Sequence, residues 1–283
     1  MYKLAIFIAV AIFLFSCNNK NNSSADRIYI NAKIWTGDSD TTMAEAMAIK
    51  DDKIVFVGSD YKSFKGINTE LIDLQGKLLV PGFTDNHTHF ISGGYNLGSV
   101  NLRNAKTKNE FIQLLKEYAA KLPGDRWITG GNWDHENWGG DLPTKEMIDS
   151  VSNNHPVFIS RLDGHMALAN SIALQKAGID KNTATPAGGA MVKDKSGEPT
   201  GILKDAAQDL IYKVMPSLSE TELDEALLRA QEYALSLGVT QVHDMVSYDG
   251  FTDIATWQRV KEKNKLMMRV YQFVPLRLWA RLD

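Results

Sequence analysis

Apolar and polar residues alternate along the first part of the chain, from residue 27 to residue 80. Ile28 and Ile30 alternate with polar neighbours, a period of two that is typical of a strand with one buried face. Two further apolar runs, 46–50 and 53–58, meet at a pair of aspartates, which predicts a hairpin. A second turn is predicted at Gln75-Gly76. The pattern indicates a small β module over residues 27–80.

A different pattern follows from residue 81, where apolar residues recur at helical spacing. Thr107 to Glu110 and Ser219 to Glu222 both have the sequence of a capping box, and each precedes an amphipathic helix. The last part of the chain alternates strand, helix and strand, which is typical of a parallel α/β domain. The individual predictions are strands at 127–130, 156–160, 239–246 and 266–274, helices at 170–177 and 251–263, and a hairpin within 188–203.

The amino terminus has the pattern of a bacterial export signal. Lys3 precedes an unbroken apolar run, 4–15, which is shorter than the roughly 20 residues that cross a bilayer as a helix. The run ends at Ser16-Cys17, which resembles a lipobox, so residues 1–17 are predicted as a lipoprotein signal with Cys17 as the lipidated residue. Residues 18–26 are polar and predict a flexible tether. The expected location is the periplasmic side of a bacterial membrane, anchored through lipid; the alternatives are a short membrane anchor or a signal without lipid.

The charge and cysteine content of the chain limit which binding partners and cross-links are expected. The 283 residues include 31 basic and 34 acidic side chains, a net charge of −3, and no basic stripe with interleaved aromatics, so no nucleic-acid partner is predicted. Cys17 is the one cysteine, which excludes an intramolecular disulfide.

Two histidines provide the first candidate chemistry. His87 and His89 follow a strand pattern, and residues two apart on a strand point to the same side, so both imidazoles can bind one divalent metal ion. Such a pair alone is also common by chance, and a structural role is then the more frequent explanation.

The surrounding residues give the pair a context. The stretch 73–90, DLQGKLLVPGFTDNHTHF, resembles the DLxGxxxxPGFxDxHxH segment with which members of the amidohydrolase superfamily enter their first barrel strand. Later blocks, WITGGNWDHENWGG, PVFISRLDGHMALANSIALQKAGI and GGAMVKDKSGEPTGIL, resemble amidohydrolase family 3, the group that includes N-substituted formamide deformylases. The resemblance covers nearly all of residues 27–283.

This resemblance implies an α/β fold, a (β/α)8 TIM barrel with a β-sandwich module at its amino-terminal side. Residues 27–80 would form part of the module, and residues 81–283 part of the barrel, with a family-specific insertion at about 100–218. It also implies metal-dependent hydrolysis of a C–N bond, of the amide or formamide type, in a small-molecule substrate. His87 and His89 carry over as metal ligands, with zinc as the expected ion. The general acid/base aspartate of the family is expected beyond the end of this chain.

Other polar residues have two interpretations each. Asp163 and His165, in the DGH motif, either face substrate or order a loop. Trp133 and Trp138 either line a substrate pocket or pack in the core. His243 either lines the barrel mouth or has a hydrogen-bonded core role. The remaining expectations are surface positions for His135 and His155, and a Lys204 that stays outside the central barrel strands, which disfavours a carboxylated lysine there.

The barrel is expected to be incomplete. A (β/α)8 barrel typically needs about 250 residues, whereas about 200 follow Pro81 here, with barrel strands expected near Leu78, Val239 and Leu266. The chain is therefore expected to be a truncated product or part of a longer protein. The alternative function is a catalytically inactive remnant or binding lipoprotein of the same family. A third reading, deamination of a ring or opening of a cyclic amide, is disfavoured by the later motif blocks.

Overall fold

The computed structural model describes residues 24–39, 43–124 and 126–281. The chain divides into two compact units, one up to Gly82 and the other from Phe83. The predicted export signal and Cys17 lie outside the described residues. Within those residues, none of the helices has both the length and the apolar character that a membrane crossing needs.

The first unit contains two small sheets. Its strands in the described residues are β1 (Arg27–Ile30), β2 (Lys33–Trp35), β3 (Met43–Ala44), β4 (Ala46–Lys50), β5 (Lys53–Gly58), β6 (Glu70–Asp73) and β7 (Leu78–Leu79). One sheet has the order β5-β4-β1-β6, and the other has the order β3-β2-β7. The β-sandwich itself stays a prediction.

Turn residues explain why the strands of this unit end where they do. The predicted hairpin is confirmed, because β4 and β5 pair antiparallel across Asp51, whose φ of 53° lies in the left-handed region. The predicted turn at Gln75-Gly76 is also present, with φ values of 52° and 78°. It sends the chain from one sheet to the other, since β6 pairs with β1 and β7 pairs with β2.

The predicted tether reaches too far. Ala25 is buried, and its amide donates to the carbonyl of Phe64 at 2.8 Å. The carboxylate of Asp26 accepts from Lys50 Nζ at 2.8 Å and from the Asp51 amide at 2.7 Å. Two residues assigned to the tether are therefore fixed in the first unit, because Asp26 satisfies the backbone of the β4–β5 turn.

The second unit is a mixed α/β structure. Its strands are β8 (Phe83–Thr88), β9 (Val100–Asn101), β10 (Gly130–Trp133), β11 (Phe158–Arg161), β12 (Met166–Ala169), β13 (Gly189–Lys193), β14 (Pro199–Asp205), β15 (Val239–Asp244) and β16 (Arg269–Gln272). Its α-helices are α1 (Phe90–Gly98), α2 (Lys108–Ala119), α3 (Lys145–Asp149), α4 (Ser171–Lys176), α5 (Asp209–Tyr212), α6 (Glu220–Ser236) and α7 (Phe251–Glu262).

Three parallel strands, in the order β16-β15-β8, form the sheet that carries the histidine pair. Val242 of β15 is fully buried against α1, α6 and α7, whose apolar side chains form one core with it. The strand–helix–strand rhythm predicted for this part of the chain is thus confirmed. The first of these strands begins at Phe83 and not near Leu78, which pairs within the first unit.

Strand β8 is poorly covered, because every residue in it except Thr88 is exposed. Within the described residues it lies at the edge of its sheet and pairs with β15 alone. An edge strand covers fewer of its side chains than a central strand does, and β15, in the middle, is the better buried of the two.

Residues 100–205 form a second, six-stranded sheet with the order β13-β14-β12-β11-β10-β9. The hairpin predicted within 188–203 is confirmed as the antiparallel pair β13 and β14. Strands β10 and β11 begin later than predicted, because Ile128 and Val157 form only an isolated bridge before them.

Helix caps agree closely with the sequence. Ser219 and Glu222 form the predicted reciprocal capping box at α6. At α2, Thr107 Oγ1 accepts from the Glu110 amide at 3.1 Å, as expected, but the Glu110 carboxylate accepts from the Lys106 amide at 2.6 Å instead of from Thr107. Asn170 caps α4, and Gly178 follows it in the left-handed conformation with a φ of 65°.

Candidate active site

The histidine pair lies where strand β8 ends. His87 is the second-last residue of the strand, whereas His89, predicted to lie on the same strand, follows it and precedes helix α1. Both side chains are exposed, and their ring centroids are 5.9 Å apart in an edge-to-face arrangement. Since zinc–nitrogen bonds are about 2.0–2.1 Å long, two imidazoles on one ion have centroids about 5–6 Å apart. The separation observed here fits a shared ion.

The second nitrogen of His89 supports this fit. Its Nδ1 lies 2.8 Å from the carbonyl oxygen of Val246. A carbonyl only accepts, so Nδ1 carries the proton and Nε2 keeps its lone pair for a metal. Among the described residues, however, no group of three or more His, Cys, Asp or Glu side chains could hold an ion. The candidate ligands in that part of the chain are therefore the two imidazoles of His87 and His89.

His243 lies on the neighbouring strand. Its carbonyl accepts from Thr88 Oγ1 at 3.2 Å, which joins β15 to the strand of the histidine pair. The half-buried imidazole packs beside the rings of Tyr271 and Phe273, with centroid distances of 5.5 and 6.2 Å. This position on the strand next to His87 and His89 is compatible with a place at the barrel mouth.

Asp244 lies beside the histidine pair, although the sequence did not point to it as a candidate site residue. It is fully buried and accepts from the amide of Phe90, the residue after His89, at 2.9 Å, and from Trp257 Nε1 at 3.0 Å. Burial raises the pKa of Asp244, although both hydrogen bonds act in the opposite direction. An aspartate directly after His243 at a strand end was the only signal in the sequence.

A cavity of about 360 Å³ adjoins the strand end. Its lining includes Asp85 and His89, and most of the other lining residues are apolar residues of α1, α6 and β15. The cavity therefore places a candidate metal ligand, His89, next to a mostly apolar surface.

The DGH motif forms a separate charged cluster at the end of the six-stranded sheet. Arg161 binds both Asp134, at 2.9 Å, and Asp163, and the Asp163 carboxylate accepts from the His165 amide at 3.0 Å. His165 Nδ1 lies 3.0 Å from Asp205 Oδ1. This hydrogen bond, followed by the charges of Asp205 and Asp163, raises the pKa of His165.

The position of His165 has features of a substrate-facing residue and of a loop-ordering one. Its side chain is 77% exposed, which leaves Nε2 open to solvent. Asp205, its partner, has a φ of 46° and a ψ of −125°, a strained conformation for a residue with a side chain. Asp163 instead orders the turn, because both of its oxygens are engaged within the cluster.

Two histidines are more buried than expected, and one of the two candidate tryptophans packs in the core. Trp133 is fully buried, and its Nε1 donates to the Ile159 carbonyl at 2.9 Å, so it packs in the core of the six-stranded sheet, the second of its two interpretations. His135 and His155 are buried too, which contradicts their expected surface positions. The loop that carries His155 folds inward because its Nδ1 meets the Arg126 carbonyl at 2.9 Å.

Two further candidates lie away from the histidine pair. Lys204 is on β14, where it pairs with Met166 and Ala190 in the six-stranded sheet and not in the sheet of His87. Trp138 is half-buried, packs against Phe111 and donates from Nε1 to the Asp141 carbonyl at 2.9 Å.

Comparison with known families identifies the class of this protein. Residues 70–280 match the model of the amidohydrolase family, in its family 3 branch, and the chain belongs to that family. Membership supports a hydrolase.

Curated relatives agree with this assignment. The chain is 41% identical over 268 residues to Protein LONG AFTER FAR-RED 3 of Arabidopsis thaliana, which covers 91% of this chain and 46% of that protein. It is 37% identical over 242 residues to the putative amidohydrolase YtcJ of Bacillus subtilis, and this match covers 81% of this chain and 45% of that protein. It is 30% identical over 229 residues to an N-substituted formamide deformylase of Arthrobacter pascens, and this match covers 77% of this chain and 42% of that protein.

A solved structure shows the same fold. It is that of an uncharacterized metal-dependent hydrolase from Pyrococcus furiosus, with a TM-score of 0.71 at 27% identity, and the match covers 90% of this chain and 51% of that one. Membership of the family and the similarity to this metal-dependent hydrolase support the binding of a divalent metal ion. The chain spans about half the length of the relatives it matches.

Proposed function

We propose that this chain is part of a metal-dependent amidohydrolase that cleaves a C–N bond, of the amide or formamide type, in a small molecule. The observation that carries the proposal is the pair His87 and His89 at the end of β8, with His89 Nδ1 bound to Val246 and Nε2 left free. The similarity to a relative named as an N-substituted formamide deformylase supports the substrate class.

The geometry of the two histidines supports the roles that we propose for them. His87 and His89 would hold the ion, which we propose to be zinc because neutral imidazole suits that metal. A bound ion of this kind supplies an activated water and polarises the carbonyl of an amide. The chain itself contributes the orientation of the ligands, because the Val246 carbonyl fixes which nitrogen of His89 is free.

The proposal is tested by the zinc content of the purified full chain beside that of a His87→Ala, His89→Ala double variant. His165→Ala is the matched control, because it removes an exposed histidine from a different cluster. We expect zinc in the wild type and the control and its loss in the double variant. Zinc retained by the double variant, or folded wild-type protein that binds none, contradicts the proposed site. A screen of N-substituted formamides and simple amides with the zinc-loaded protein then tests the substrate class.

We also propose that the protein is exported and lipid-anchored through Cys17 on the periplasmic side of a bacterial membrane. The support is the sequence pattern of a short apolar run that ends at the cysteine. Metabolic labelling with a fatty acid tests it, since Cys17→Ser should abolish the label. A label that persists in this variant rules out the anchor.

A further inference from the structure

Backbone and side-chain hydrogen bonds hold His89 from both sides. The carbonyl of Thr88, before it, accepts from the Met245 amide at 2.7 Å, and the amide of Phe90, after it, donates to Asp244 at 2.9 Å. Its ring meets the Val246 carbonyl. All three contacts come from the end of β15 or from the segment that follows, residues 245–250, which we name the β15 loop.

The β15 loop does not adopt this shape easily. Val246 has a φ of 67°, in the left-handed region, where a β-branched side chain is rare and strained. Such a conformation persists only when the surrounding structure imposes it. The strain lies at the residue whose carbonyl accepts from His89, so whatever imposes it also sets the position of the metal ligand.

The residue that imposes this shape is Asp253. Its side chain is fully buried in the first turn of α7. One carboxylate oxygen accepts from the Ser247 amide at 2.7 Å, and the other accepts from the amides of Tyr248 and Gly250 at 3.1 and 3.2 Å. Three successive contacts of this kind fix the backbone of the loop directly after Val246.

A further hydrogen bond ties the loop to the helix that His89 precedes. Ser247 Oγ accepts from the Ser92 amide at 3.1 Å, in the first turn of α1. The loop therefore cannot shift without moving either the start of α1 or the contact between Val246 and His89.

We infer that Asp253 is a positioning residue for His89. By fixing the β15 loop, Asp253 places the carbonyl of the strained Val246 against His89 Nδ1. This contact keeps the proton on Nδ1 and leaves Nε2 free to bind a metal ion. The inference rests on the proposed role of His89 as a metal ligand. Outer partners of a metal-bound histidine commonly change metal affinity by about 10–100-fold when they are removed.

A purely structural role for Asp253, as a cap of α7, makes a different prediction. A cap that is weakened lowers the stability of the protein but leaves the tautomer of a distant imidazole unchanged. The tautomer of His89 is therefore the measurement that separates the two roles, and it does not require a bound metal.

The experiment compares the full chain with Asp253→Asn and, as the matched control, Asp249→Asn. Asp249 lies in the same loop, but its carboxylate accepts from the Thr252 amide and hydroxyl and not from the Ser247, Tyr248 or Gly250 amides. Nitrogen-15 spectra of the imidazoles report which nitrogen of His89 is protonated. Titration with zinc against a competing chelator reports affinity.

We expect His89 to be protonated at Nδ1 in the wild type and in Asp249→Asn, and to become a mixture of tautomers in Asp253→Asn. Zinc affinity should fall about 10–100-fold in Asp253→Asn alone. An unchanged His89 tautomer and unchanged zinc affinity in folded Asp253→Asn overturn the inference. Wild-type protein that binds no zinc removes the proposed function, and the tautomer comparison still decides the role of Asp253.

A second variant covers the case in which Asp253→Asn does not fold, as judged by circular dichroism. Gly250 has a φ of 92°, and a Cβ there would lie 3.1 Å from a Leu278 methyl group, so Gly250→Ala disturbs the loop while the carboxylate remains. It should produce the same mixture of His89 tautomers. A His89 that stays protonated at Nδ1 in folded Gly250→Ala contradicts the link between the loop and the ligand.

Discussion

The imidazole of His89 and the carbonyl of Val246 meet at 2.8 Å although 157 positions separate the two residues in the sequence. One belongs to the end of β8 and the other to the loop after β15. Because β8 and β15 are parallel neighbours, their carboxyl ends lie together, and the loop after β15 can hold the histidine at the end of β8. The candidate metal site therefore depends on the pairing of β8 with β15 and not only on the local sequence His87-Thr88-His89.

Close packing of α1 on α6 gives the sharpest prediction for stability. A Cβ on Gly94 would fall on the carbonyl oxygen of Ala226, whereas a Cβ on the adjacent Gly93 would meet nothing within 4 Å. Gly94→Ala should therefore destabilise the protein by about 1–3 kcal/mol or more. Gly93→Ala should stabilise it by roughly 0.5–1 kcal/mol, since alanine favours a helix over glycine. Urea unfolding that gives the same midpoint for both variants contradicts this packing.

The indole of Trp257 has a polar role in addition to its packing on Phe90. Its Nε1 donates to the buried carboxylate of Asp244. Trp257→Phe leaves that oxygen without this donor and should cost about 1–3 kcal/mol of unfolding free energy. Trp279→Phe is the control, because Trp279 is 68% exposed. Equal losses in the two variants, measured by chemical unfolding, argue against the hydrogen bond.

Asp224 predicts how stability depends on pH. Burial acts to raise the pKa of Asp224, but hydrogen bonds from Arg259 and Lys263, with their charges, outweigh it and hold the pKa below its usual range. The folded state therefore favours the carboxylate, and this contribution is present above about pH 4, the unfolded pKa, and is lost as the pH falls further.

Asp224→Asn should accordingly be less stable than the wild type by about 2 kcal/mol near neutral pH. The difference should shrink as the pH is lowered below the unfolded pKa, in urea unfolding series at several pH values. A difference that is constant with pH contradicts the role of the charge.

The pKa of His165 depends first on Asp205. Asp205→Asn removes the negative charge that faces Nδ1, so the pKa of His165 should fall towards its ordinary value. Asp194→Asn is the control, since Asp194 binds only within its own turn. Proton NMR titration of the imidazole measures the change. Identical titration curves in the wild type and Asp205→Asn are incompatible with the hydrogen bond described here.

Sequence analysis predicted the parts of the structure that depend on neighbouring residues. The capping box at Ser219 and the strand that contains His87 each depend on a stretch of a few residues, whereas His89, predicted on the same strand, lies just after it and precedes helix α1. A period of two or a cap sequence acts locally, which is why these elements could be predicted from the residues around them. The family resemblance placed the histidine pair in its context.

The contacts between distant segments could not be predicted in this way. Asp253 reads as an ordinary acidic residue in the first turn of a helix, and nothing local shows that Val246 is left-handed. His155 reads as a loop residue, yet it is buried because it meets the backbone of Arg126, 29 positions earlier. These roles arise from long-range pairing, which a single sequence does not display.

X-ray absorption at the zinc edge, recorded on the zinc-loaded full chain and on the His87→Ala, His89→Ala double variant, reports which atoms bind the ion. We expect imidazole scattering from nitrogen ligands at about 2.0–2.1 Å in the wild type, and its loss in the double variant. A wild-type spectrum without imidazole scattering, or the same spectrum in both proteins, would contradict the assignment of His87 and His89 as the metal ligands.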